Sequence, residues 1–143
     1  MRIWKHDVTV EALNHGMSNT LVRNLGIEIT EIGDDYILSK MPVDKRTYQP
    51  MGLLHGGASA ALSESIGSMA SFLLMEDMSR QPVGLEINCN HLRSAREGWV
   101  HGRTTPIKIG RTIHVWNTDI VDQDDNLIAC SRLTVMIKSS NKN

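Results

Sequence analysis

The chain has 143 residues, a net charge of −1 and 41% hydrophobic residues. That is enough for one domain, residues 1–143, with a proper core, and too balanced a charge for bulk nucleic-acid binding. No stretch is apolar enough to span a membrane, and no apolar signal region follows Arg2 and Lys5, so a cytoplasmic protein is expected. Cys89 and Cys130 form neither a disulfide framework nor a metal spacing; each sits in a strand-like run, where a free thiol serves as a small hydrophobe. No metal or cofactor is expected.

Residues 1–25 predict two short helices. Asp7 or Thr9 caps the first, which runs through Leu13 and ends at Gly16; Ser18 caps the second, toward Asn24. Strand signals begin at Gly26, where Ile27 and Ile29 alternate with Glu28 and Thr30. Gly33-Asp34-Asp35 turns the chain, and Tyr36 to Val43 runs back. Asp44 to Tyr48 is a polar loop, and Pro50 and Gly52 punctuate the approach to the next element.

From Ala58 to about Met75 the sequence is small or apolar with helical spacing, at 58, 61, 62, 65, 66, 69, 72 and 73. The positions between them are small too, so the helix should be surrounded by protein on every side. Pro82 then starts a new segment, and four strands follow in meander: Val83 to Leu92, with Leu85, Ile87, Cys89 and His91 on one face; Trp99 to Ile109, with Pro106 implying a bulge or an edge; Thr112 to Val121; and Leu127 to Ile137, alternating inward at every second residue from Leu127. Ser139 to Asn143 reads as a frayed tail. Two strands, one long helix and four strands predict an α+β fold: a six-stranded antiparallel sheet wrapped around a central helix.

One carboxylate, Glu64, lies mid-way along that helix. A buried carboxylate needs a partner, and no Lys or Arg occurs between Arg46 and Arg80. A wet seam would satisfy it, but perturbed acids gather at functional sites, and we read Glu64 as a working group in a cleft. At the helix start, His55-Gly56-Gly57 presents backbone N–H groups without intrahelical partners, at the positive end of the dipole. Absent side chains at Gly56 and Gly57 let a ligand oxygen approach closely. This suits a carbonyl that becomes an oxyanion; one such donor lowers a barrier by about 3 kcal/mol. Gly56 and Glu64 are eight residues apart, about 12 Å along a helix, whereas reacting groups must meet within about 3.5 Å. One helix cannot put both on the same carbonyl, but two antiparallel copies about a two-fold axis can. A homodimer with shared active sites is therefore expected.

These motifs resemble the hotdog-fold acyl-CoA thioesterases, in particular those acting on aromatic acyl groups in menaquinone and enterobactin biosynthesis. The resemblance rests on Ile3-Trp4-Lys5, Leu25-Gly26-Ile27, Met41-Pro42-Val43-Asp44, Gln49-Pro50, the block from Leu53 through His55-Gly56-Gly57 to Glu64, Gly67-Ser68-Met69-Ala70, then Gly84, Glu86, Asn88, His91, Arg93 and Gly110-Arg111. It implies that Gln49, His55 and the Gly56 N–H of one subunit orient the thioester carbonyl. Glu64 of the other attacks it or activates water, Ser68 of that same subunit orients the water or the carboxylate, and His91 and Met69 help line the site. It places Arg93, Ser94, Lys108, Gly110 and Arg111 near the CoA phosphates, and it implies homodimers that assemble into homotetramers. No Gly-x-Ser-x-Gly elbow is present; a polarised thioester carbonyl and one carboxylate suffice for hydrolysis. Two other readings stand beside this one: hydrolysis of aryl groups misloaded on a carrier protein, and a non-catalytic acyl-CoA-sensing domain. A hotdog dehydratase is disfavoured, because its His and acid pairing is not seen.

Overall fold

The computed structural model describes residues 1–139. The elements are α1 (Val10–Gly16), α2 (Leu21–Asn24), β1 (Glu28–Ile32), β2 (Ile37–Pro42), α3 (Gly56–Leu73), β3 (Arg80–His91), β4 (Trp99–Ile109), β5 (Ile113–Val121) and β6 (Leu127–Ser139). All six strands join one antiparallel sheet in the order β1-β2-β4-β5-β6-β3. The expected two strands, helix and four strands are present, but the last four are not a simple meander. β4, β5 and β6 are; β3 lies beyond β6, because α3 carries the chain across to the far edge while β4 pairs with β2.

α3 begins two residues earlier than its apolar run, because His55 caps it. Its Nδ1 accepts the Gly57 N–H at 2.7 Å, which is what an N-cap side chain does for an orphan amide. Ala58, Ser59, Leu62, Ser63, Ile66, Gly67, Ala70 and Ser71 form a buried stripe, packed with Val100, Trp116, Ile120 and Leu133 of the sheet. The opposite stripe, Ala60, Ala61, Glu64, Ser65, Ser68, Met69 and Phe72, is only half-buried. The expectation of a helix enclosed on every side is thus corrected: the sheet curls around one face only. On the other face Ser65, Ser68, Met69 and Phe72 border the N-terminal helices across a cavity.

The two sheet edges differ. At β1, Asn14 of α1 donates to the Ile29 carbonyl at 2.9 Å and accepts the Ile29 N–H at 2.8 Å. That clamp occupies the exposed ladder positions and seats α1 on the sheet. At the other edge the twelve residues of β3 are mostly exposed, and nothing among the described residues covers them. A long bare edge is a template for another strand. Pro82 lies within β3 and does not open a segment; an edge strand tolerates the missing N–H on its free side. A register shift between Gly84 and Glu86 swings Leu85 out to 52% exposure, so it leaves the face it was expected to share with Ile87 and Cys89. Pro106 sits at the expected bulge, where the β4–β5 register shifts before Lys108.

Thr9 caps α1, accepting the Ala12 N–H at 3.1 Å. Thr20, not Ser18, precedes α2, and its hydroxyl donates back to the Met17 carbonyl at 2.5 Å. In β6, Ala129, Ser131, Leu133, Val135 and Ile137 point inward as expected. Leu127 does not, because Ile128 turns in at the strand's start. Ser139 ends β6; the rest of the expected tail, 140–143, lies outside the described residues.

Candidate active site

The loop from Asp44 to His55 delivers the helix N-terminus. Arg46 grips Asp44 through its guanidinium and its own N–H, holding that carboxyl at about 2 instead of 3.8. Thr47 donates to the Pro42 carbonyl at 2.6 Å, while the Leu54 and His55 amides bond to the carbonyls of Ala95 and Thr47, each at 2.8 Å. The start of α3 is therefore fixed before any ligand arrives. Because His55 Nδ1 accepts from Gly57, its proton is on Nε2, and the Gly57 amide is committed. Of the two amides expected to be open, only that of Gly56 has no partner among the described residues.

Gly56 also makes room for His91. A Cβ there would stand 2.7 Å from the ring's Nε2, so the imidazole lies directly against the backbone that carries the open amide. Gln49 turns its Oε1 onto the Met51 N–H, which leaves its amide nitrogen to donate elsewhere. Gln49, Gly56, Ser59, His91, Arg93 and Ser94 line one cavity of about 410 Å³. Five of these were expected from the sequence; Ser59, buried on the helix one turn in, was not. His55 does not face this cavity. With Arg46, Tyr48 and Gly57 it borders a separate one of about 300 Å³ on the other flank of α3.

Glu64 is half-buried, and its Oε1 lies against the Cα of Gly84 in β3, where a methyl group would collide with it. It forms no salt bridge among the described residues. Gly84 is the positioning residue that the sequence argument left without a role; a glycine inside a strand pattern is the sign of such a close approach. Glu64 does not line the Gly56 cavity, as the spacing of about 12 Å along the helix requires. Ser68 and Met69 open on a third cavity, beside α1 and α2.

The expected phosphate residues separate within one chain. Arg93 sits where its amide meets the Ile128 carbonyl at 3.2 Å, with Ser94 beside it. Gly110 and Arg111 border a cavity of about 270 Å³ with Arg80, whose guanidinium donates to the Ile137 carbonyl at 2.6 Å. Ile128 and Ile137 are nine residues apart on β6, roughly 30 Å. Lys108 is exposed near the end of β4. One chain does not bring these groups onto one ligand. Near the Arg80 end, Trp116 donates to Ser71 Oγ at 2.8 Å, and Ser71 bonds His114 Nδ1 at 3.0 Å. Burial pushes His114 below its ordinary value of 6.5, against an opposing bond to the Gly110 backbone and with help from Arg80. No group of three or more His, Cys, Asp or Glu among the described residues is placed to hold a metal.

A six-stranded antiparallel sheet curled on one long helix, with an unpaired acid mid-helix and an open amide at its tip, is the hotdog fold of thioester-cleaving enzymes. A family model described as Thioesterase superfamily matches residues 51–129. The 1,4-dihydroxy-2-naphthoyl-CoA hydrolase of Escherichia coli K12 is 50% identical over 135 residues, covering 94% of this chain and 98% of that protein. The proofreading thioesterase EntH of Cronobacter turicensis is 47% identical, with 94% and 98% covered. A crystal structure of a thioesterase from Haemophilus influenzae superposes with a TM-score of 0.94 at 48% identity, covering 99% of this chain and 98% of that one. The chain belongs to the thioesterase superfamily, and it is a thioester hydrolase. Among the described residues no helix is long and apolar enough to cross a membrane.

Proposed function

We propose that this enzyme hydrolyses aromatic acyl-CoA thioesters in a homodimer, each site combining Glu64 of one subunit with the Gly56 N–H of its partner. The observation that carries the reading is the pairing of two unsatisfied groups with two uncovered surfaces. The acid and the amide lie about 12 Å apart along one helix, and the half-buried stripe of α3 and the bare edge of β3 are where a second copy would meet the first. Antiparallel pairing of two β3 strands also sets the Arg93 end of one chain beside the Arg80 and Arg111 end of the other, which gathers cations and amides for the CoA phosphates. Such dimers assemble further into a homotetramer.

In this site the carbonyl oxygen accepts the Gly56 N–H at the positive end of α3, with Gln49 as a second donor and His91 beside it, while His55, on the other flank of α3, holds the helix start through its bond to Gly57. Charge developing on that oxygen meets a dipole that is already oriented, so no reorganisation is needed. Glu64 attacks the carbonyl carbon, expelling CoA thiolate to leave an anhydride that water opens, or it removes a proton from an attacking water; Ser68 orients the carboxylate or the water. A single turnover in ¹⁸O-water separates the routes, since only the anhydride route can leave label in the protein carboxyl. The main test is Glu64→Gln. Benzoyl-CoA hydrolysis, followed by thiol release, should fall at least 10³-fold (about 4 kcal/mol of barrier) while sedimentation still reports the oligomer. A fully active variant would refute the assignment.

The dihydroxynaphthoyl group, and with it menaquinone biosynthesis in the cytoplasm, is the favoured setting, because the relative of that activity matches half of all aligned positions. A second reading rests on the similarity to a proofreading thioesterase: an aryl group on a carrier protein's phosphopantetheine reaches the same carbonyl site. Comparing rates on benzoyl-CoA and on a benzoyl-loaded carrier protein decides between them.

A further inference from the structure

Ser59 is only 1% exposed, yet it borders the cavity at the start of α3 together with Gln49, Gly56 and His91. Its hydroxyl makes no hydrogen bond among the described residues. Other serines on the same buried stripe show what a buried hydroxyl otherwise does. Ser63 donates to the Ser59 carbonyl at 3.2 Å, and Ser71 accepts from the Trp116 indole at 2.8 Å. The equivalent acceptor for Ser59, four residues back, is the His55 carbonyl. That oxygen already takes the Ala58 and Ser59 amides, at 3.0 and 3.4 Å.

A buried hydroxyl without a partner lowers stability, and alanine in its place is the better helix former. Such a group calls for a partner that arrives with the substrate. The helix fixes where that partner must stand. A helical side chain leans toward the N-terminus, over the residue three or four places before it. For Ser59 that residue is Gly56, whose amide is open and which has no Cβ to stand between. The His91 ring fills the space a Gly56 Cβ would take, with its Nε2 only 2.7 Å from that point. Hydroxyl, amide and imidazole therefore border one spot at the positive end of α3.

We propose that Ser59 is a further donor to the reacting carbonyl oxygen, beside the Gly56 N–H and Gln49. Its hydroxyl keeps its proton and gives a hydrogen bond that strengthens as charge collects on that oxygen. The proposal rests on the reading of Gly56 and Glu64 as the two halves of a shared site, and it adds a side chain to the first half.

The test separates this role from packing. Ser59→Ala should lower kcat on benzoyl-CoA at least tenfold with KM within twofold of the parent protein. Its melting temperature should hold or rise, because the hydroxyl has no partner in the free enzyme. Ser59→Cys keeps the shape and supplies only a weak donor; its kcat should fall at least tenfold too, which keeps the test decisive if one variant does not fold. A second measurement uses two inert CoA thioethers. Phenacyl-CoA carries a ketone oxygen and phenethyl-CoA carries none, so Ser59→Ala should weaken inhibition by the first at least fivefold and by the second less than twofold. A smaller loss of kcat in both folded variants, or equal effects on the two inhibitors, overturns the assignment. Either of these alongside an inactive Glu64→Gln leaves the catalytic reading standing, whereas a fully active Glu64→Gln removes both.

Discussion

Replacing Gly84 by alanine should disable the enzyme without touching the acid itself. The Glu64 Oε1 lies where the new methyl group would stand. Gly84 has no positive φ, so alanine fits the backbone, and the conflict falls on the carboxylate alone. Restoring ordinary contact moves that carboxylate by roughly 1 Å, and a displacement of that size at a reacting group costs about 10²-fold in rate, or about 2.7 kcal/mol of barrier. Benzoyl-CoA hydrolysis by thiol release gives kcat, thermal unfolding reports whether the fold persists, and sedimentation reports whether the β3 edge still associates. The expected result is a folded, associated protein with kcat down about a hundredfold and KM little changed. A kcat within twofold of the parent protein would show that the position of Glu64 is not what the reaction depends on.

Gly56→Pro removes the open amide at a helix position that proline favours, after a His55 already extended at ψ 129, and its Cβ also displaces the His91 ring, which lies 2.7 Å from where that atom would stand; the lost amide alone should lower kcat about 10²–10³-fold. Mixing it with Glu64→Gln after dissociation and reassociation should restore about a quarter of the parent activity, because heterodimers carry one intact site of two; no recovery would rule out shared sites. His55→Ala deletes the cap on Gly57, costing about 1 kcal/mol and lowering Tm by about 2–4 °C; an unchanged melting curve would contradict the cap. His114 is held neutral by burial, with its folded value below 6.5. Its contribution to stability is therefore complete above pH 6.5 and is lost as pH falls through the depressed folded value. Urea midpoints measured between pH 7.5 and 5 should fall for the parent and fall less for His114→Gln; equal slopes would refute the assignment.

Much of this was readable residue by residue. The central helix followed from its spacing, the α1 cap was narrowed to Asp7 or Thr9 by their chemistry, and Pro106 to a bulge or an edge by its missing donor; the structure chose Thr9 and the bulge. The singularity of Glu64 followed from the absence of any cation between Arg46 and Arg80. Local covalent chemistry and periodicity determine such features, and both are properties of neighbours in the chain. The tertiary structure decided the rest. It moved β3 to the far edge, left one stripe of α3 half-buried, committed Gly57 to His55, set Gly84 under Glu64, and parted Arg93 from Arg111. Each depends on which distant segments meet, and the loop-closure and packing energies that choose among those meetings leave no local pattern to read.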